Sequence, residues 1–151
     1  MMILTPEDEL RVVGVGGRMS DKNSILVHWE MPFHRRRCTD HQLHGYHVNV
    51  VCGDEVDLYL YLRGTTIANA FFEGEGCTIC LGMASLLTQH VFGKTLDEAR
   101  AITEADVFRL APDVQIAKSR RGCALVAFQA LQRALQNAPA VSSATLSKTG
   151  Q

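Results

Sequence analysis

Glu55-Val56-Asp57-Leu58-Tyr59-Leu60-Tyr61-Leu62 alternates strictly between two kinds of side chain. Successive side chains of an extended chain point to opposite faces, so Val56, Leu58, Leu60 and Leu62 share one side and Glu55, Asp57, Tyr59 and Tyr61 the other. An apolar face backed by a polar and aromatic one is the pattern of a half-buried antiparallel strand. Arg63-Gly64 turns the chain into Thr65 to Glu73, whose β-branched and aromatic residues predict the second strand of a hairpin. Upstream, Val48, Val50 and Cys52 alternate with His47, Asn49 and Val51, which predicts a further extended run closed by Cys52-Gly53-Asp54.

Beyond the hairpin the period changes. Glu73-Gly74-Glu75-Gly76 predicts a glycine-rich corner, after which Cys80, Leu81, Ala84, Leu87, Thr88 and Val91 recur at helical spacing behind Cys77. Gly93-Lys94 supplies a stop, and Thr95-Leu96-Asp97-Glu98 has the residues of a capping box. Short helices are predicted over 96–101 and 104–110, ended by Pro112. Past the basic loop Lys118-Ser119-Arg120-Arg121-Gly122, Cys123 leads a last helix with Ala124, Ala127, Phe128, Leu131, Ala134 and Leu135 on its apolar face. Strands first and helices after predict an α+β domain, an antiparallel sheet of about three strands with helices packed on one face.

The flanks are less patterned. Residues 1–23 read as a flexible leader, and Gly14-Val15-Gly16-Gly17 lacks the Lys-Ser/Thr of a phosphate loop. Residues 24–138 read as the folded domain, and 139–151, rich in Ser, Ala and Thr, as a disordered tail. Ser24 to Trp29 is a short apolar element, helical or extended, stopped by Pro32. His34, His41, His44 and His47 gather around Cys38 and Arg35 to Arg37, without a Cys-x-x-Cys partner. A solvated basic loop is the reading there, with Arg35 to Arg37 as a surface for an acidic partner.

With 151 residues the chain is long enough to bury a core as one domain, and its formal net charge of −1 argues against an electrostatic grip on nucleic acid or an anionic membrane. No apolar run approaches the roughly 20 residues that span a bilayer, and the acidic Glu7-Asp8-Glu9 does not read as a secretory signal. A cytoplasmic protein is expected. Five cysteines, an odd number in a reducing compartment, point away from a disulfide framework and towards metal or sulfur chemistry.

Four of the candidate groups lie at element ends. Cys52 and Asp54 flank Gly53, whose freedom permits a tight bend, and Cys77 and Cys123 stand at predicted helix starts, where unpaired N–H groups favour a thiolate. Three soft sulfurs and one hard oxygen suit Zn²⁺ in a tetrahedral site, or iron in an assembling iron–sulfur cluster. Cys80 is read as a packed thiol, although it sits one helical turn from Cys77, and Cys38 is placed in the basic loop with its role open.

These residues carry a resemblance. Val51-Cys52-Gly53-Asp54-Glu55-Val56, Phe72-Glu73-Gly74-Glu75-Gly76-Cys77-Thr78-Ile79, Gly93-Lys94-Thr95 and Arg121-Gly122-Cys123-Ala124-Leu125 resemble the NifU N-terminal/IscU/SufU family from about His28 to Leu135. The resemblance implies a SufE/NifU-like fold and a scaffold that accepts persulfide sulfur from a PLP-dependent cysteine desulfurase. Such a scaffold builds a labile [2Fe–2S] cluster for apo-protein acceptors or, in the SufU-like branch, binds Zn²⁺ and relays the sulfur. It implies Cys52, Asp54, Cys77 and Cys123 as ligands and the three cysteines as candidate persulfide acceptors, in a scaffold rather than a turnover enzyme. IscU-like members carry histidine where this chain has Gly122, which favours the SufU-like branch. SufU-like members carry a long insertion for which the step from Cys77 to Cys123 leaves little room. A rival reading takes Cys77-Thr78-Ile79-Cys80 as a thioredoxin-like redox motif, which needs a βαβ setting.

Overall fold

The computed structural model describes residues 23–138; the expected leader and tail, with Gly14-Val15-Gly16-Gly17, lie outside the described residues. The alternating stretch forms the middle strand, β2 (Asp54–Arg63), between β1 (Leu43–Asn49) and β3 (Thr66–Glu75) in an antiparallel meander of order β1-β2-β3. Register fixes the faces: Leu43 lies opposite Leu60, Gly45 opposite Leu58, His47 opposite Val56 and Asn49 opposite Asp54. Val56, Leu58, Leu60 and, on β3, Ile67, Ala70 and Phe72 are buried in the main core. The helices α1 (Ser24–Glu30), α2 (Thr78–Val91), α3 (Leu96–Arg100), α4 (Glu104–Arg109), α5 (Arg121–Ala124) and α6 (Val126–Gln136) complete the chain order.

Helix α2 is buried on most sides, with Cys80, Leu81, Ala84, Leu87, Thr88 and Val91 all in the interior as their spacing predicts. Its buried Ser85 is satisfied by the His28 ring and by the Phe33 N–H, each at 2.7 Å, which ties α1 and the following turn to it. Helix α6 buries Ala127, Phe128, Leu131, Ala134 and Leu135 against β1 and β2. Both short helices carry full capping boxes, Thr95 with Glu98 as expected and also Thr103 with Asp106.

Four expectations need correction. His44 and His47 belong to β1 rather than to a solvated loop, and β1 ends at Asn49, so Cys52 sits in the turn and Asp54 opens the next strand. Alternation was hard to see there because the inward positions of β1 carry Leu43, Gly45 and His47 instead of a run of large apolar residues. Glu73, Gly74 and Glu75 continue β3 rather than forming a corner. Finally, the segment around Phe33–Asp40 is no free loop: Arg36 N–H donates to Phe72 O (2.8 Å) and Phe72 N–H to His34 O (3.1 Å). That segment covers part of the outer sheet face, where Cys38, Tyr59 and Phe71 make a second small core. Arg35 is engaged by Glu73 at 2.8 Å and Arg36 lies over the Phe71 ring, so two of the three arginines serve the fold.

Gly45 marks the tightest contact of sheet and helix. A Cβ there would lie 1.8 Å from the Ala130 carbonyl oxygen of α6. Gly45→Ala is therefore expected to force α6 off β1 and to lower unfolding free energy by about 3 kcal/mol in a denaturant titration. An unchanged midpoint would contradict this packing.

Candidate metal centre

At one end of the sheet three chain reversals meet. Asp54 has the inward parity of Val56 and Leu58, so its carboxylate points to the helical side, where it is 4% exposed. Asn49, its partner on β1, accepts the Gly53 N–H at its carbonyl (2.7 Å) and the Val51 N–H at its side-chain oxygen (3.1 Å). Gly53 completes this turn with φ 79°, in the left-handed region that favours glycine, and the turn holds Cys52 exposed to solvent. The end of β3 lies beside the same turn, since Glu75 pairs with Glu55. Cys77 follows as the N-cap of α2.

Asp54 ties the sheet to that helix. Its carboxylate accepts the Cys77 N–H at 3.2 Å and faces the Cys77 thiol at 3.5 Å, while Cys77 Sγ accepts the Cys80 N–H at 3.4 Å. On the other side the Cys52 and Cys123 sulfurs are 3.5 Å apart. Ligand atoms of Cys52, Asp54 and Cys123 all lie within 4.8 Å of one another, and Cys77 joins them through Asp54 without belonging to that tight set. A tetrahedral centre with metal–sulfur bonds of about 2.3 Å has sulfur–sulfur edges of about 3.8 Å. The donor set and its spacing therefore fit a thiophilic ion.

Electrostatics separates the donors. Burial alone would raise the Asp54 carboxyl, but hydrogen bonds involving Cys52, Cys123 and Cys77 outweigh it and hold the group below the usual carboxylate range. Burial pushes the Cys123 thiol up to about 12, helped by Asp54 and Cys52 and opposed by Arg120. The expectation of a thiolate favoured by a helix start thus fails at Cys123. It is the third residue of a four-residue helix and is buried, so desolvation of the charged form dominates. A bound cation reverses that balance, because it replaces the lost solvation.

Two residues at the site carried no role in the sequence reading. The exposed Arg120 guanidinium stands beside the sulfurs of Cys77 and Cys123, and interaction with them raises its pKa. Its only signal was membership of a basic loop. Asn49 is the second. A Cβ on Gly122 would meet Asn49 Nδ2 at 2.9 Å, so the amide occupies space that a side chain at 122 needs. The His-rich segment stays outside: His44 bonds Asp57 at 2.6 Å and stacks on Tyr59, and His41 packs beside them on the outer face. Cys38, placed in a solvated loop by the sequence, is instead a buried thiol of the small outer core.

Three thiolates and one carboxylate around a divalent ion leave excess negative charge, which Arg120 offsets. Arg120→Gln is expected to weaken zinc affinity by roughly tenfold or more in competition with a chromophoric chelator. Equal affinity would show that this cation plays no part in ion binding.

Known proteins resemble this chain in sequence and in fold. Residues 20–144 match the family described as NifU-like N terminal domain. The zinc-dependent sulfurtransferase SufU of Bacillus subtilis is 39% identical over 56 residues, which cover 37% of this chain and only 38% of that relative's length. The iron–sulfur cluster assembly scaffold protein IscU of Thermotoga maritima is 29% identical over 58% of this chain and 72% of its own. Among solved structures, the NifU-like N-terminal protein of Brucella abortus superposes with a TM-score of 0.62 at 19% identity, covering 77% of this chain and 92% of that one. The Fervidobacterium islandicum protein FiSufU gives 0.59 at 22%, covering 79% and 99%. These two likenesses show the fold. The antiparallel meander offers no βαβ setting for a thioredoxin-like domain. The match over most of its length places the chain in the NifU N-terminal/IscU/SufU family of iron–sulfur cluster assembly scaffolds.

Proposed function

We propose that this protein accepts sulfur from a PLP-dependent cysteine desulfurase and holds a transient [2Fe–2S] cluster for transfer to apo-proteins. The observation that supports this most directly is the convergence of Cys52, Asp54 and Cys123, with Cys77 adjoining, at the mouth of three reversals. In this reading Cys52, Asp54, Cys77 and Cys123 are the ligands. Cys52 is the exposed thiol that meets the donor: its thiolate attacks the terminal sulfur of the donor's persulfide, a new S–S bond forms on Cys52, and the donor leaves as thiolate. Cys77 and Cys123 are the further acceptors within reach.

A bound ion keeps its thiol ligands deprotonated. The chain's own part is to hold unlike donors ready and to let one yield. Asp54, an oxygen among sulfurs already shared with the Cys77 N–H, is the donor suited to exchange. Arg120 offsets charge, and Asn49 holds the turn that carries Cys52.

A second reading, zinc-dependent persulfide relay, draws support from Gly122, where no histidine stands, and from the local identity with the Bacillus subtilis zinc-dependent sulfurtransferase. Either reading carries with it a cytoplasmic location and protein partners rather than nucleic acid or membrane. No helix among the described residues is long and apolar enough to cross a membrane.

Metal and sulfide analysis with absorption spectroscopy of anaerobically purified protein separates the two. Iron with sulfide and visible charge-transfer bands is the outcome of the scaffold reading. Zinc without visible absorption is that of the relay, and absence of both metals contradicts each. Asp54→Ala is expected to lengthen the lifetime of a bound cluster, or slow metal exchange, with an unchanged far-ultraviolet circular dichroism spectrum. Wild-type lifetime and exchange in that variant would remove Asp54 from the site.

A further inference from the structure

Cys80 belongs to the main core but not to the ligand set. A buried thiol often serves only as a small apolar group, and Cys80 is indeed 0% exposed. Its surroundings differ from those of an ordinary core residue. Its backbone N–H donates to Cys77 Sγ, which joins it directly to a candidate ligand. It also stands at Cys-x-x-Cys spacing from Cys77 across the start of α2, from N-cap to third helical residue.

We propose that Cys80 is the resolving thiol for a persulfide carried on Cys77, and that the pair releases the carried sulfur as hydrosulfide. This rests on the sulfur-accepting reading above. Cys77 has extended backbone (φ −76°, ψ 170°) and joins the helix through its carbonyl, which takes the Leu81 N–H at 3.0 Å, while its sulfur folds back to accept the Cys80 N–H at 3.4 Å. Side chains three apart on a helix have Cβ atoms about 5–6 Å apart, and a disulfide needs about 3.5–4.5 Å. Closing that gap asks the cap residue to shift by about 1–2 Å towards the helix, away from its N–H bond to Asp54.

The step balances within the protein. The outer sulfur of the ionised persulfide takes the Cys80 proton, the Cys80 thiolate attacks Cys77 Sγ, a Cys77–Cys80 disulfide forms, and the bond from Cys77 Sγ to the outer sulfur breaks. The outer sulfur leaves with the bonding pair and with the proton given up by Cys80, as hydrosulfide. It is reduced while the sulfur of Cys80 is oxidised, so the release needs no outside reductant. An external dithiol then returns the pair to two thiols. Hydrosulfide is sulfur at the oxidation level of the bridging sulfide in a [2Fe–2S] cluster, so the device converts the delivered form of sulfur into the form a scaffold consumes.

The test loads full-length protein with glutathione persulfide, desalts it, and follows both free sulfide and the mass of the peptide containing Cys77 and Cys80. Wild type is expected to release sulfide while that peptide becomes short of two hydrogens. Cys80→Ala keeps the backbone N–H to Cys77 and is expected to retain one extra sulfur on Cys77, with sulfide release lower by roughly tenfold or more. Cys80→Ser repeats the test should the alanine variant not fold, and the wild-type disulfide location reads independently of both. Equal persulfide lifetimes in wild type and variants, or a disulfide to Cys52 or Cys123 instead, would overturn the role of Cys80 and leave the sulfur-accepting reading intact. Absence of protein-bound sulfur in every protein would overturn that reading itself.

Discussion

The hydrogen bond from the Cys77 N–H to the buried Asp54 carboxylate is the joint on which the site depends. Asp54 opens the middle strand and Cys77 caps the central helix, so one carboxylate links sheet and helix layers at the point where the thiols gather. A buried carboxylate is costly unless its oxygens are bonded. Here the backbone of one candidate ligand and the thiols of three supply those bonds, and together they hold the group ionised. The group that stabilises the junction is also the hard donor in a set of soft ones. A change in its bonding partner is felt at once by the helix start and by the sulfurs.

Close approach makes the rest possible. Gly45 lets α6 lie directly on β1, and Gly122 lets the short helix carrying Cys123 reach Asn49. These contacts set where Cys123 stands relative to the turn holding Cys52. Asn49 then does two things with one side chain: it organises residues 50–53 and fills the space opposite position 122. Arg120 supplies a cation at the same rim.

The legible parts of the fold were those where one physical demand ruled each position. Val56, Leu58 and Leu60 answer only to the apolar core on one face, and α2 and α6 repeat their buried residues at helical spacing, so their patterns read directly. β1 was partly hidden because Gly45 answers to α6 and His44 to Asp57, demands that erase alternation. The Phe33–Asp40 segment hid its role because its backbone, through residues 34 and 36, makes the pairing with β3. Within the site, residue types showed which groups belong to metal and sulfur chemistry. They did not show Arg120 or Asn49, whose contributions are contacts between distant segments, nor that burial rather than a helix start governs Cys123.

Donors from separate elements are expected to converge on one ion, and X-ray absorption at the zinc edge of the zinc-loaded whole chain reads that convergence. The prediction is a sulfur-dominated shell at about 2.3 Å with an oxygen contribution at about 2.0 Å, and one sulfur fewer in Cys123→Ser. A shell of nitrogen and oxygen alone, or one unchanged by Cys123→Ser, would contradict it.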